Sequence, residues 1–139
     1  MIQPSKAERM LVLLLRLAGA VTMLAILAVF MPRSWMAACH ERLGLGKFPE
    51  GPIVEYLART VSALYFVLGG LMWVAAGDVR RYRVPVRYVG LVMLVGGIMV
   101  LALNFAICMP AYWTASEGPP TVLLGLALLL LQRRVERNC

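Results

Sequence analysis

Glu55, Arg59 and Ser62 stand at i, i+4 and i+7, so on a helix they share one face. Tyr65 follows them, and Asn104 and Glu117 are polar members of two later apolar stretches. Ionisable groups in such surroundings are costly, and they are usually paired or functional. Two readings fit the set. In the first, Glu55, Arg59, Ser62, Tyr65, Asn104 and Glu117 line a pocket for a polar headgroup or a quinone-like ring, with Arg59 contacting an anion or a carbonyl. In the second the set is structural: Glu55–Arg59 is an i,i+4 ion pair, and Arg59–Glu117 ties two helices together. His40, the single histidine, either reaches the same region or sits solvated beside Glu41. One histidine cannot supply bis-histidine haem ligation within a chain.

The cysteines carry a different chemistry. Cys39 and Cys108 both fall in segments expected on the outer side, where an oxidising compartment lets two thiols join as a disulfide or work as a redox-active pair. Cys139 reads as a plain thiol. Met31, Met36, Cys39, His40, Cys108 and Met109 are soft ligands of the kind that hold Cu(I). No CxxC, MxxM or HxxxH spacing organises them, and methionine commonly fills apolar helices. No metal site is therefore expected. No catalytic motif stands out, so the chain reads as non-enzymatic, with lipid or quinone as the ligands worth considering.

These residues must be positioned by elements that the hydropathy defines. The chain has 139 residues, 61% of them hydrophobic, and a mean hydropathy of +0.79. That excess needs lipid to cover it. Four apolar stretches occur at about 10–31, 56–76, 88–109 and 117–134. About 20 residues of helix cross the hydrocarbon core, and in lipid the backbone must satisfy its own hydrogen bonds. The stretches lack the alternation of barrel strands. The expected fold is an all-α membrane protein: a single domain over residues 1–139, built as an antiparallel bundle of four transmembrane helices. The first stretch has a basic start but no cleavage site of small residues after it, so it reads as a retained helix.

Loop charge predicts the orientation. Arg80, Arg81, Arg83 and Arg87 separate the second and third stretches, and Arg133, Arg134 and Arg137 follow the fourth. No Lys or Arg lies between the third and fourth. The positive-inside rule then places both termini in the cytoplasm of a bacterial inner membrane. The net charge of +7 is explained by this topology, so nucleic acid is not an expected partner. The run from Asp78 to Arg83 is a topology anchor that can also contact anionic lipid headgroups.

Local signals refine the picture. Arg33–Phe48 mixes Trp35, Met36, Leu43, Leu45 and Phe48 with charges and reads as an interfacial helix broken by Gly44 and Gly46. Arg16 either snorkels to the interface or pairs with Asp78. Gly69-Gly70 invites close approach of another helix. Gly90, Gly97 and Asn104 recur at sevenfold spacing as a packing seam. Ser116 suits the N-cap of the fourth helix, which makes Pro119 and Pro120 residents of its first turn.

The layout, with a long first outer loop, Ile53–Arg59 opening the second helix, Ser62, Tyr65, Gly69 and Gly70 within it and Asp78–Tyr82 closing it, resembles small bacterial membrane proteins of the broad DoxX-like four-helix group. The resemblance covers most of the chain through loose motifs. It implies a bundle fold, and accessory subunits of quinone-linked oxidoreductases occur in that group. The leading expectation is a non-catalytic membrane protein, either an accessory subunit or a lipid- or quinone-binding module. Its partners would be membrane lipids and a membrane complex or further copies of itself. The competing expectation is a redox-active subunit using Cys39 and Cys108. A transporter is disfavoured, because four helices with few interior charges make too small a pathway.

Overall fold

The computed structural model describes residues 5–137; Cys139 lies outside them. Six helices follow in order: α1 (Lys6–Met23), α2 (Ile26–Phe30), α3 (Arg33–Arg42), α4 (Pro52–Ala75), α5 (Arg83–Ala106) and α6 (Ala111–Arg137). No strand occurs among the described residues. Four segments are long and apolar enough to cross a membrane: Lys6–Phe30, Pro52–Ala75, Arg83–Ala106 and Ala111–Arg137. Only 11–22% of each apolar window is buried within the protein. The remaining apolar surface suits lipid, not water.

Each helix end has a local cause. Ser5 Oγ accepts from the Glu8 backbone N–H at 3.2 Å; serine followed three residues later by glutamate marks the start of a helix. The first stretch, expected as one uninterrupted helix, is broken after Met23. Leu24 N–H is shared between the Ala20 and Val21 carbonyls, and Ala25 N–H turns back to Thr22 O. Thr22 Oγ1 donates to Ala18 O at 2.7 Å, a back-bond of the kind that bends helices. Pro52 opens α4 at the first helical position, where its missing N–H is harmless, four residues before the expected start. Pro85 is likewise accommodated in the first turn of α5, which begins five residues early.

The fourth spanning helix departs most from expectation. It begins at Ala111, so the expected shortest helix is the longest, at 27 residues. Ser116 is not its N-cap. Its hydroxyl donates to Trp113 O within the helix, and Pro119 and Pro120 lie inside it. Each proline removes one backbone bond.

Two helices end in the same way with different residues. After α3, Leu45 N–H bonds His40 O and Gly44 N–H bonds Glu41 O, with Gly44 at φ 69°. After α5, Met109 N–H bonds Asn104 O and Cys108 N–H bonds Phe105 O, with Cys108 at φ 54°. Both are Schellman endings, which favour glycine at the left-handed residue. A β-carbon there costs about 1–2 kcal/mol. Cys108→Gly should therefore stabilise the protein by about 1 kcal/mol against unfolding in detergent, while Cys108→Ala should not. Equal unfolding midpoints for the two variants would refute the strain.

The packing clusters into two compact units, residues 18–71 and the remainder of the described residues. The second contains nearly all of the closed core: Leu11, Leu15, Met72, Ala75, Ala76, Val79, Val86, Val89, Leu128 and Val135. Within it, Arg16 does not pair with Asp78. Its guanidinium lies 5.9 Å from the Trp73 ring centroid, while Asp78 Oδ1 accepts from the backbone N–H groups of Arg80 and Arg81. The turn before α5 consumes that carboxylate.

The expected seam of Gly90, Gly97 and Asn104 is buried. It faces α6, which carries a seam of its own at the same spacing, Gly118, Gly125 and Gln132, also buried. A β-carbon on Gly90 would meet Leu129, and one on Gly97 would meet Val122; Gly118 faces Leu101 and Gly125 faces Leu94. Partner numbers fall as these rise, so α5 and α6 run in opposite directions.

In the unit of residues 18–71, Gly69 makes the close approach anticipated for the Gly69-Gly70 pair. Its β-carbon would sit 2.6 Å from Gly19 O, whereas Gly70 has open space. The His40 ring closes the loop after α3. Nδ1 lies 3.0 Å from Gly46 O; because a carbonyl only accepts, Nδ1 carries the proton. The ring also meets Phe48 edge-on.

Candidate functional site

The six residues expected to line one pocket divide between the two units. Asn104 and Glu117 belong to the unit containing α5 and α6; Glu55, Arg59, Ser62 and Tyr65 belong to the other.

Asn104 occupies the last turn-and-a-half of α5 on its buried seam, 6% exposed. Its Nδ2 donates to Glu117 Oε2 at 3.0 Å. Trp113 Nε1 donates to the same oxygen at 2.9 Å. The two donors hold this carboxylate oxygen between α5 and the first turns of α6. The early start of α6 makes this arrangement possible. Trp113 precedes Glu117 by one turn, so both side chains lie on one face.

Beside this cluster an open groove of about 600 Å³ runs along the α5–α6 turn. Leu101, Phe105, Met109 and Pro119 form apolar walls, with Asn104 and Thr114 as polar members and Cys108 at the edge. Thr114 is buried, and its hydroxyl donates to Pro110 O at 3.3 Å. Ligand sites commonly have this character: a mostly apolar concavity of a few hundred Å³ with a small number of placed polar groups.

Arg59 is engaged otherwise. Its Nη2 lies 2.6 Å from Glu55 Oε1, and Nε donates to the same oxygen at 3.1 Å. Nη2 also donates to Met31 O at 3.1 Å, and Nη1 to Val29 O. Those carbonyls are orphans at the end of α2, where a cation also suits the helix dipole. The Glu55–Arg59 pair expected from i,i+4 spacing is therefore present, and the guanidinium acts as a clasp. Ser62 is half-buried and Tyr65 exposed, and among the described residues neither side chain makes a hydrogen bond. Cys39 and Cys108 are both free, exposed thiols. Among the described residues no group of three or more His, Cys, Asp or Glu side chains is placed to hold a metal ion.

Thr114 and Gln132 were not singled out by sequence. The signal for Gln132 was available, since it completes a Gly118–Gly125–Gln132 heptad like that of α5. No family model, curated protein or solved structure matches this chain.

Proposed function

We propose that the protein is a non-catalytic membrane module, a four-helix antiparallel bundle that binds a lipid- or quinone-like ligand in the groove beside the α5–α6 turn. The observation carrying this reading is the buried Asn104 amide, held from behind by the half-buried Glu117, in the wall of an otherwise apolar, open concavity. A ring or acyl chain fits the walls, and the Asn104 amide orients a carbonyl or hydroxyl at the ligand's head. Under the positive-inside rule this groove lies in the outer leaflet of a bacterial inner membrane, with both termini cytoplasmic and α3 at the interface. Membership of the DoxX-like group, and a role as accessory subunit of a larger complex, belong to the same proposal. They rest on helix layout and on the residues of α4.

Native mass spectrometry of the protein from its own membranes tests this. The expected result is a small-molecule adduct whose occupancy falls about tenfold in Asn104→Leu, the equivalent of one hydrogen bond of about 1.4 kcal/mol. Glu117→Gln should weaken it too. An adduct insensitive to both substitutions refutes the groove. A stoichiometric protein partner without an adduct favours the accessory-subunit form.

One observation favours a redox reading as the second choice: Cys39 and Cys108 are exposed, and Cys108 edges the groove. Thiol labelling with and without reductant decides it, since two labelled cysteines in oxidised membranes would remove the pair.

A further inference from the structure

At the other end of α5 and α6 lies a small pocket of about 90 Å³, lined by Arg80, Arg83, Gln132, Val135 and Glu136. Gln132 is fully buried. Its Nε2 donates to Glu136 Oε1 at 3.2 Å, and its carbonyl Oε1 has no hydrogen-bond partner among the described residues. Exchanging the two ends of the amide would set Oε1 against the Glu136 carboxylate, acceptor against acceptor, so Glu136 fixes the orientation. A buried acceptor left unmade is unfavourable by about 1–3 kcal/mol, and buried polar atoms are almost always paired. This one belongs to a side chain that lines the pocket, and it calls for a donor.

The surrounding charges specify what carries that donor. Glu8 pairs with Arg80 at 2.7 Å, and Glu136 pairs with Arg87. Arg83, the first residue of α5, is exposed and makes no hydrogen bond among the described residues. The set Glu8, Arg80, Arg83, Arg87 and Glu136 thus holds three cations and two carboxylates, leaving one positive charge beside the positive end of the α5 dipole. A monoanionic group suits it. At about 90 Å³ the pocket takes the polar end of a headgroup and not its chains.

We propose that this pocket binds a phosphodiester bearing a hydroxyl, as in the phosphoglycerol headgroup of an anionic phospholipid. The phosphate faces Arg83, and the hydroxyl donates to Gln132 Oε1. Both helices end here, at the depth where headgroups lie if they span the bilayer. This site is separate from the groove at the α5–α6 turn and does not depend on it.

The test is native mass spectrometry of the full chain in a neutral detergent, titrated with phosphatidylglycerol, phosphatidylcholine, soluble glycerophosphoglycerol (the phosphodiester without acyl chains) or inorganic phosphate. Phosphatidylglycerol should bind about tenfold more tightly than phosphatidylcholine, which lacks the hydroxyl and the net charge. Arg83→Ala and Gln132→Met should each remove that preference. Gln132→Met should also hold or raise the lipid-free unfolding midpoint, because it deletes the unpaired acceptor; loss of preference then cannot be blamed on misfolding. If soluble glycerophosphoglycerol competes at the same concentrations as the lipid, the chemistry stands and its source is a soluble phosphodiester. Equal binding of the two lipids, a preference that survives in both variants, or competition by inorganic phosphate as effective as by glycerophosphoglycerol would overturn the proposal. The first two outcomes would reduce Gln132 to a residue satisfied by structural water.

Discussion

Gly125→Ala should destabilise the protein by about 3 kcal/mol, the upper end of what overpacking does in a close-packed interior. The new methyl group would press on Leu94 N and lie 2.8 Å from Gly90 O and from Leu94 Cα. All three are backbone atoms, so no side chain can rotate away and the helices must separate. Gly96→Ala is the matched control. A β-carbon there meets nothing within 4 Å, and the gain in helix propensity should stabilise by up to about 1 kcal/mol. The two alanines therefore shift the unfolding midpoint in opposite directions. If Gly125→Ala unfolds with the Gly96→Ala midpoint in the same detergent, the close α5–α6 seam is wrong.

Arg59→Ala should be the most damaging substitution outside that seam, at about 2–3 kcal/mol, in the range for hydrogen bonds made by a charged group. It strips Glu55 of its partner and returns the Val29 and Met31 carbonyls to the unsatisfied end of α2. Because Arg59 and Glu55 are each about one third exposed (33% and 30%), solvent softens the loss and the figure stays below that of a fully buried pair. Arg59→Lys keeps the charge without the planar fork that spans two carbonyls and a carboxylate, so it should recover less than half. Measured as unfolding in detergent, a change below about 0.5 kcal/mol for Arg59→Ala would mean that the clasp contributes little. The same variant separates the two readings of Arg59. A structural clasp loses stability with ligand occupancy unchanged at the α5–α6 groove, whereas a ligand contact loses occupancy.

Glu117 illustrates how a local rule was outvoted. Two adjacent prolines ordinarily mark a first turn, and Ser116 before them looked like a cap. In the folded chain the helix already exists by that point, because Glu117 accepts from Trp113 one turn earlier and from Asn104 on α5. Asn104, thirteen residues away, ties the side chain of that turn to α5. Reading the helix as beginning at 117 also hid the seam, since Gly118 then belonged to a helix end and its sevenfold relation to Gly125 and Gln132 went unread.

By itself, the sequence determined four apolar segments of spanning length, the all-helical class, the Gly90–Gly97–Asn104 seam and the Glu55–Arg59 pair. Each of these follows from hydropathy or from helical spacing within a short window, where local geometry leaves few choices. Only the tertiary structure decided the break after Met23, the true start of α6, the destinations of Arg16 and Asp78, the carbonyls that Arg59 clasps and the unpartnered carbonyl oxygen of Gln132. Most of these depend on atoms brought together from distant positions, such as Arg59 and the carbonyls 28 and 30 residues before it. A polar side chain has several partners of nearly equal energy in sequence terms, and packing selects among them.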